Sequence, residues 1–338
     1  MTQTAIERLF GWQAAFDRPE VAWLSGIGGA ILVLSGVIIA ALVLSKKAPE
    51  ALRRELVVRW LTWSVIALGL VASVVAGAAT LIVVVFAVSV LCYREFARAT
   101  GVFREPIVTA IVGVCLLALA FAAADNWFAM FTAIPMLGAV LIAIGCVVRD
   151  QPQGYLQRVS LGVVGLLVTG AGPAYLSMLT VDERWRMIVL ALFIAVAVGD
   201  VSAFVCGKLV GGMKLMPNTS PGKTIAGAVG SLIITAVVVA TMFSMIYDDT
   251  RLDSPTILLG LGILVGVTGQ LGDLILSALK RDVGIKDFGK ALPGHGGLLD
   301  RFDSLVFTAP AVFYYLAYFV GIGLESETNI LTFRIMSS

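Results

Sequence analysis

Apolar residues occur along this chain in long unbroken runs, separated by short segments that hold most of the charged residues. A helix needs about 20 apolar residues to cross the hydrocarbon layer of a membrane. The pattern therefore predicts an all-α fold, a polytopic integral membrane protein with about ten transmembrane helices. The predicted spans are residues 21–45, 61–75, 79–91, 107–124, 127–148, 160–180, 187–206, 225–247, 256–279 and 305–324.

The second and third predicted spans form one continuous apolar run, which is too long for one crossing and barely long enough for two. We place the turn between them at residues 76–79. Lysine and arginine accumulate in the cytoplasmic loops of membrane proteins. With an outward-facing N-terminus and two separate spans, 18 of the 24 lysines and arginines fall in cytoplasmic loops. This bias places both termini on the non-cytoplasmic side, and the polar loops 207–224 and 281–303 in the cytoplasm.

The composition excludes a soluble domain. Apolar residues make up 59% of the chain, charged residues 14%, and the mean hydropathy is +0.97, whereas soluble domains carry about 25% charged residues. The net charge of +2, without a broad basic patch, predicts no nucleic-acid partner. The four cysteines lie in or beside apolar runs and form no CxxC pair, so we interpret them as packed thiols.

The most charged segment of the chain is "SALKRDVGIKDFGKALPGHGGLLDRFDS", residues 277–304, and it includes the only histidine, His295. Asp273 precedes this segment inside the ninth predicted span. Helical spacing puts Asp273 and Ser277 on one stripe with Lys280 or Arg281. A charge inside a span is costly and is usually functional. The alternative is a single buried carboxylate that serves packing alone.

Asp273 and Asp300 belong to different predicted helices, with several cations between them. Carboxylate oxygens are suitable ligands for magnesium, which also takes phosphate oxygens. The pattern therefore favours a magnesium–triphosphate site. Asp287 and Asp303 are supporting candidates. The cations predicted to neutralise phosphate charge are Lys280, Arg281, Lys286 and Arg301.

The glycine-rich turn before the last helix suits an anion. Gly296 and Gly297 allow the backbone to approach a ligand closely. We expect the helix to begin near Gly297, so that its first amides favour a negative charge. His295 could orient a phosphate, move a proton or serve only as a turn residue.

A second polar loop lies within residues 199–230, and its "SPGKT" stretch suggests a phosphate-binding P-loop at first. The P-loop pattern requires a glycine where Pro217 stands, and we expect no preceding strand in a membrane protein, so we reject that interpretation. Two interpretations stay open. The loop is either an ordinary positively charged cytoplasmic loop or a second phosphate-contacting loop that uses Ser220, Lys223 and Thr224.

The segment 277–303 resembles the signature of the phosphatidate cytidylyltransferase family, the CDP-diacylglycerol synthases. The resemblance extends upstream to "GD" at 272–273, to "SPGKT" and to "GDVSAFVCGK" at 199–208. The family has Lys and Glu where this chain has Gly222 and Ala226, and often Tyr at Phe204. The matching signature positions are Ser277, Leu279, Lys280, Arg281, Lys286, Asp287, Gly289, Pro293, His295, Gly296, Gly297, Asp300, Arg301 and Asp303.

The resemblance implies that CTP and phosphatidate react to give CDP-diacylglycerol and pyrophosphate. It implies Asp273 and Asp300 as ligands of Mg²⁺, with a second metal ion, or K⁺ in its place, left open. The expected surroundings are a bacterial-type inner membrane, with the site facing the cytoplasm. Whether the protein forms a homodimer is left open.

Three regions follow from these observations: an amphipathic N-terminal segment on the membrane surface (1–20), N-terminal transmembrane helices (21–180) and a catalytic C-terminal transmembrane region (181–338). Two other functions stay open. One is a cytidylyltransferase or CTP-dependent kinase that acts on another lipid, of polyprenol type. The other is an ion-coupled transporter that uses Asp273 and Asp200 as coupling carboxylates.

Overall fold

The computed structural model describes residues 5–45, 49–248, 250–292 and 296–322. Among them, helices dominate and one short hairpin is present. The helices are α1 (Ala5–Phe10), α2 (Pro19–Leu44), α3 (Glu50–Ala76), α4 (Ala78–Thr100), α5 (Pro106–Ala124), α6 (Phe128–Val148), α7 (Tyr155–Leu166), α8 (Gly172–Met178), α9 (Trp185–Val210), α10 (Ile225–Ile246), α11 (Pro255–Asp282) and α12 (Leu299–Val320).

Ten helical segments in the described part of the chain are long and apolar enough to cross a membrane. The all-α, polytopic membrane fold is thereby confirmed. The sixth crossing, Tyr155–Val181, is composite: a π-helical turn at Leu167–Ala171 joins α7 to α8. Large apolar side chains point outward along the spans, as on Val33 and Leu34 of α2, where a bilayer would cover them.

The turn predicted at residues 76–79 is present and consists of Gly77 alone. Gly77 separates α3 from α4 and has a φ of 124°, a backbone conformation that residues other than glycine rarely adopt. A Cβ at this position would lie 2.6 Å from the carbonyl oxygen of Leu9. The helix that follows continues to Thr100, nine residues beyond the end of the predicted span, and this extension brings further polar residues into α4.

The N-terminal segment is anchored to the helices as well as exposed. Arg8 is 5% exposed and donates hydrogen bonds to the carbonyl oxygen of Ala123 (2.8 Å) and the hydroxyl of Thr180 (2.9 Å). Phe10 and Trp12 remain more than half exposed. Such aromatic side chains are typical of the membrane–water boundary.

Small residues allow the C-terminal helices to pack closely. A Cβ on Gly272 of α11 would lie 2.4 Å from the carbonyl oxygen of Asp303 in α12. A Cβ on Gly262 would lie 2.5 Å from the carbonyl oxygen of Ala236 in α10. Close approach through glycine is a common packing mode of membrane helices. It places the polar residues of neighbouring helices within reach of one another.

The loop predicted at 207–224 is shorter than expected, because α9 continues to Val210. Asp200 lies inside this helix, as it does in the predicted span 187–206. The remaining residues form an antiparallel hairpin of β1 (Lys214–Met216) and β2 (Ser220–Thr224). The expectation that no strand precedes "SPGKT" is therefore wrong, because the short loop pairs with itself. Thr224 also caps α10, because its hydroxyl accepts a hydrogen bond from the amide of Gly227. The last helix begins at Leu299, close to the predicted start.

Candidate active site

An ion pair joins the hairpin to α11. The Lys223 ammonium group lies 2.6 Å from Oδ2 of Asp273. The hydroxyl of Ser277, one helical turn further, donates a hydrogen bond to Oδ1 of Asp273 over 3.1 Å. The guanidinium of Arg281 also donates to the carbonyl oxygen of Thr219 in the hairpin, over 3.3 Å. The structure thus brings the two polar loops together along one face of α11.

Asp300 is the most enclosed carboxylate of the site, with a side chain only 1% exposed. Its Oδ1 lies 2.8 Å from the Lys280 ammonium group. Its Oδ2 accepts hydrogen bonds from the amides of Phe288 and Gly297, each over 3.0 Å. Both oxygens are therefore engaged by the protein, and they hold the connection between α11 and α12 against the start of α12. We call this connection, residues 283–298, the signature loop.

Three further carboxylates converge from three helices. Asp200 on α9, Asp273 on α11 and Asp303 on α12 lie close enough for each to repel the others electrostatically. Lys223 and Arg301 act on Asp200 with the opposite sign. Such a cluster of like charges is costly in the interior of a membrane protein unless cations accompany it.

This set of side chains fits a magnesium ion that is bound together with phosphate. The donors are carboxylate oxygens, and a divalent cation would relieve their mutual repulsion. Within the described residues, no three His, Cys, Asp or Glu side chains already form a metal cage. Magnesium commonly needs only one or two carboxylates, because waters and phosphate oxygens complete its shell. The assignments of Asp273 and Asp300 as its ligands both stay predictions.

The other predicted residues have varied positions. Ser220 lies in β2 opposite Met216. Gly296 adopts a φ of 84° and is bridged to Leu292, while Gly297 donates its amide to Asp300. His295 lies outside the described residues, so its role stays a prediction. The residues of the signature that line the adjoining cavity are Lys286, Asp287, Gly289, Gly296 and Arg301.

A cavity of about 1610 Å³ adjoins these residues. One part of its wall is apolar and comes from α2, α3 and α9, with Ile31, Trp63 and Phe193 as examples. The other part is charged, with Asp200 and Arg301 beside the signature loop. A space with one apolar and one charged end suits an amphipathic ligand such as an anionic lipid.

Glu95 on α4 is the functional candidate that the sequence interpretation missed. Its Oε2 accepts a hydrogen bond from the amide of Leu299, the first residue of α12, over 3.0 Å. The third predicted span ended at residue 91, so Glu95 was assigned to a loop. An acidic residue four positions after an apolar run was the available signal.

Comparison with known proteins agrees with this geometry. Residues 57–319 match the family model described as "Cytidylyltransferase family". The chain belongs to the cytidylyltransferase family. The matched region starts within α3 and ends within α12, so it leaves α1 and α2 outside, although α2 contributes to the cavity wall.

Among curated relatives of this cytidylyltransferase family member is "Uncharacterized protein YnbB" of Escherichia coli (strain K12), 40% identical over 199 residues, which are 57% of this chain and 65% of the relative. The phosphatidate cytidylyltransferase of Bacillus subtilis (strain 168) is 47% identical over 121 residues, 36% of this chain and 44% of the relative. That of Staphylococcus aureus (strain COL) is 43% identical over 122 residues, 36% of this chain and 46% of the relative. The matches thus cover less than two thirds of these relatives.

Proposed function

We propose that the protein transfers the cytidylyl group of CTP to phosphatidate, giving CDP-diacylglycerol and pyrophosphate. The observation that carries this proposal is the cavity whose apolar wall leads to the signature loop and to Asp200, one of the converging carboxylates. Such a cavity can take lipid chains at one end and phosphate groups at the other. Family membership and relatives named phosphatidate cytidylyltransferase support the same reaction.

The reaction is a substitution at phosphorus. A phosphate oxygen of the lipid attacks the α-phosphorus of CTP, and a new P–O bond forms. The bond from the α-phosphorus to the oxygen bridging it to the β-phosphate breaks, and pyrophosphate leaves with the electron pair. The lipid phosphate is already a nucleophile, so no covalent enzyme intermediate is needed. The main obstacle is the repulsion between two anions that must meet in line.

The side chains of the chain address that obstacle. Lys280, Lys286 and Arg301 place positive charge along the path of the phosphates, where charge-assisted hydrogen bonds are strong. Magnesium, when bound, would neutralise phosphate charge and stabilise the leaving pyrophosphate. Asp273 is proposed to hold that ion, together with Asp300 as the resemblance implies. Asp303 and Asp200, which lie beside Asp273, are alternative ligands.

The proposal also states which side of the membrane the site faces. Lysines and arginines predominate in the loops assigned to the cytoplasm, which include the hairpin and the signature loop. We place the site at the cytoplasmic face of a bacterial inner membrane. CTP would enter from the cytoplasm, and the lipid would enter sideways from the inner leaflet.

Radiolabelled CTP tests the reaction directly. The purified full-length protein is incubated with Mg²⁺, phosphatidate and CTP labelled either at the α- or at the γ-phosphate. We expect the α-label, and not the γ-label, to enter the lipid fraction, and pyrophosphate to form in equal amount. Lipid carrying γ-label would instead identify a CTP-dependent kinase. If α-label enters lipid when polyprenyl phosphate is supplied, but not when phosphatidate is supplied, polyprenyl phosphate is the acceptor instead of phosphatidate.

A further inference from the structure

We propose that Glu95 is a positioning residue for the cytidylyl transfer, which clamps the signature loop onto the start of α12. The inference rests on the proposed function for the reaction that it serves. Glu95 belongs to the N-terminal half, 204 residues away from its partner Leu299. It does not line the cavity, so it would act through the loop and not on the substrate.

The carboxylate lies where a helix start favours negative charge. Oε2 accepts the amide of Leu299 over 3.0 Å, and this amide is one of the first in α12 that lack a partner within the helix. Oε1 is buried, and within the described residues it has no hydrogen-bond partner. Among the described residues, the protein thus satisfies only one of the two oxygens of this buried carboxylate.

Apolar contacts hold α4 against the same loop. The ring of Phe96, the next residue on α4, lies 6.1 Å from the ring of Phe288 in the signature loop. Phe96 and Phe288 share a buried cluster with Cys92 and Leu299. This packing fixes the position of α4 along the loop. Glu95 therefore contacts the backbone at the start of α12 and not the solvent.

Two glycines of the signature loop make room for this carboxylate. A Cβ on Gly289 would lie 2.4 Å from Oε1 of Glu95, and the three nearest atoms to that Cβ all belong to Glu95. A Cβ on Gly297 would lie 2.6 Å from Oε2 of Glu95. The loop therefore approaches Glu95 as closely as only glycine allows. Gly297 lies between two carboxylates, because its amide also donates to Asp300.

The clamp has a consequence for binding. Lys286, Asp287, Gly289 and Gly296 belong to the same loop and line the cavity, so their positions depend on how the loop is seated. Asp300 on α12 holds the loop by hydrogen bonds, and Glu95 on α4 binds the first amide of α12 while Gly289 and Gly297 of the loop pack against it. Loss of Glu95 is expected to weaken the binding of nucleotide phosphates while the membrane helices stay folded.

A double-mutant cycle between Glu95 and Gly289 tests the clamp. Alanine at position 289 should displace the carboxylate and reproduce the effect of Glu95→Ala. We expect each single variant to raise KM for CTP about tenfold, and the double variant to be no worse than Glu95→Ala. Glu95→Gln keeps an acceptor for Leu299 and should stay within about threefold of the unchanged protein. Arg98→Ala, an exposed charge on the same helix, is the matched control and should have no effect.

Independent effects of Glu95→Ala and Gly289→Ala, multiplied in the double variant, would overturn the proposal. So would an unchanged KM for CTP in Glu95→Ala, or equal losses in the Gln and Ala variants. If Glu95→Ala does not fold, Gly289→Ala and Glu95→Gln still decide the matter. If the unchanged protein does not turn over CTP and phosphatidate, the proposed function fails by itself. Thermal unfolding of the four proteins of the cycle then tests the clamp without substrate.

Discussion

The ammonium group of Lys223 and the carboxylate of Asp273 form an ion pair of 2.6 Å between the β-hairpin and α11. The predicted metal ligand is therefore already paired with a cation of the protein. We expect Lys223→Met to lower the Mg²⁺ concentration for half-maximal turnover, because metal and ammonium no longer compete. It should also lower kcat about tenfold, because the phosphates lose a cation.

A magnesium titration of turnover measures both effects of Lys223→Met. Lys208→Met is a matched control, because Lys208 lies 4.8 Å from the Phe204 ring centre and has no ion pair with an aspartate in the described chain. An unchanged magnesium requirement in Lys223→Met would show that the ion pair does not compete with the metal.

Asp300→Asn should lower both stability and turnover, whereas Asp303→Asn should lower turnover alone. Asp300→Asn breaks a buried ion pair with Lys280 and turns an amide group toward two backbone donors, which should cost about 3 kcal/mol of stability as well as activity. Asp303→Asn removes one member of a like-charged cluster, so it should lower turnover about a hundredfold or more without loss of stability.

Thermal unfolding in detergent and pyrophosphate release, measured on the same preparations, separate the two aspartate variants. Equal stability of both variants would speak against Asp300 as an anchor of the loop. Near-normal turnover of Asp303→Asn would exclude it as a metal ligand, and the same result for Asp273→Asn would exclude the metal site as proposed.

Gly272→Ala should separate α11 from α12. The new Cβ would lie 2.4 Å from the backbone oxygen of Asp303, so the helices must move apart at the position of the carboxylates. We expect a loss of about 1–3 kcal/mol in stability and a larger relative loss in turnover. Gly269→Ala, one turn earlier, is the control, because its Cβ would have no neighbour closer than 3.7 Å. Equal behaviour of the two variants in unfolding and turnover assays would contradict the close-packing argument.

Gly28→Phe should narrow the apolar part of the cavity. Gly28 lines the cavity, and its Cβ would lie more than 4 Å from every described neighbour, so the helix itself should tolerate the change. We expect KM to rise about tenfold for phosphatidate with long acyl chains, and less for a short-chain analogue. Gly26→Phe on the same helix has equal room but lies outside the cavity wall, so it is the matched control. A uniform effect on both chain lengths would argue against acyl chains in this space.

Arg8 should contribute to stability and not to catalysis. Arg8→Ala removes donors to Ala123 and Thr180 and should cost about 2–3 kcal/mol. Burial lowers the pKa of Arg8 to about 10. Because the folded pKa is the lower one, the unfolded state binds more protons than the folded state above about pH 10. The contribution of this group to the free energy of unfolding therefore rises with pH only in that range and should be flat near neutral pH.

Denaturation at several pH values checks the Arg8 prediction, with turnover per folded molecule unchanged. Arg18→Ala is the comparison, since Arg18 is about half exposed and its contact with Glu183 is 3.9 Å long. That variant should stay within about 0.5 kcal/mol of the unchanged protein. A similar loss in both variants would remove the special role of Arg8.

The membrane crossings could be predicted from the sequence because each crossing requires a run of apolar residues, whatever its neighbours are. The break at Gly77 could be predicted for the same reason, together with the charge bias. The ends of helices could not, because α4 and α9 continue past their apolar runs into polar residues. Glu95 was therefore misplaced in a loop, although it lies on α4.

The contacts within the site could be predicted only along one helix. The relation of Asp273 to Ser277 follows from helical spacing. The contacts of Lys223 with Asp273 and of Glu95 with Leu299 join distant parts of the chain, and nothing local in the sequence encodes them. The signature pattern located the loop, whereas its anchors on α4 and α12 required the three-dimensional structure.

The single-residue break at Gly77 determines whether the described helices cross the membrane an even or an odd number of times. Without it, α3 and α4 would be one rod of about 75 Å, more than twice the thickness of the hydrocarbon layer. If this rod crossed the membrane once, the number of crossings would be odd. Every later loop would then lie on the opposite side of the membrane. In the orientation proposed above, the hairpin and the signature loop would then face away from the cytoplasmic nucleotides, with all their side chains unchanged. In that orientation, the backbone break at Gly77 determines on which side of the membrane the site lies.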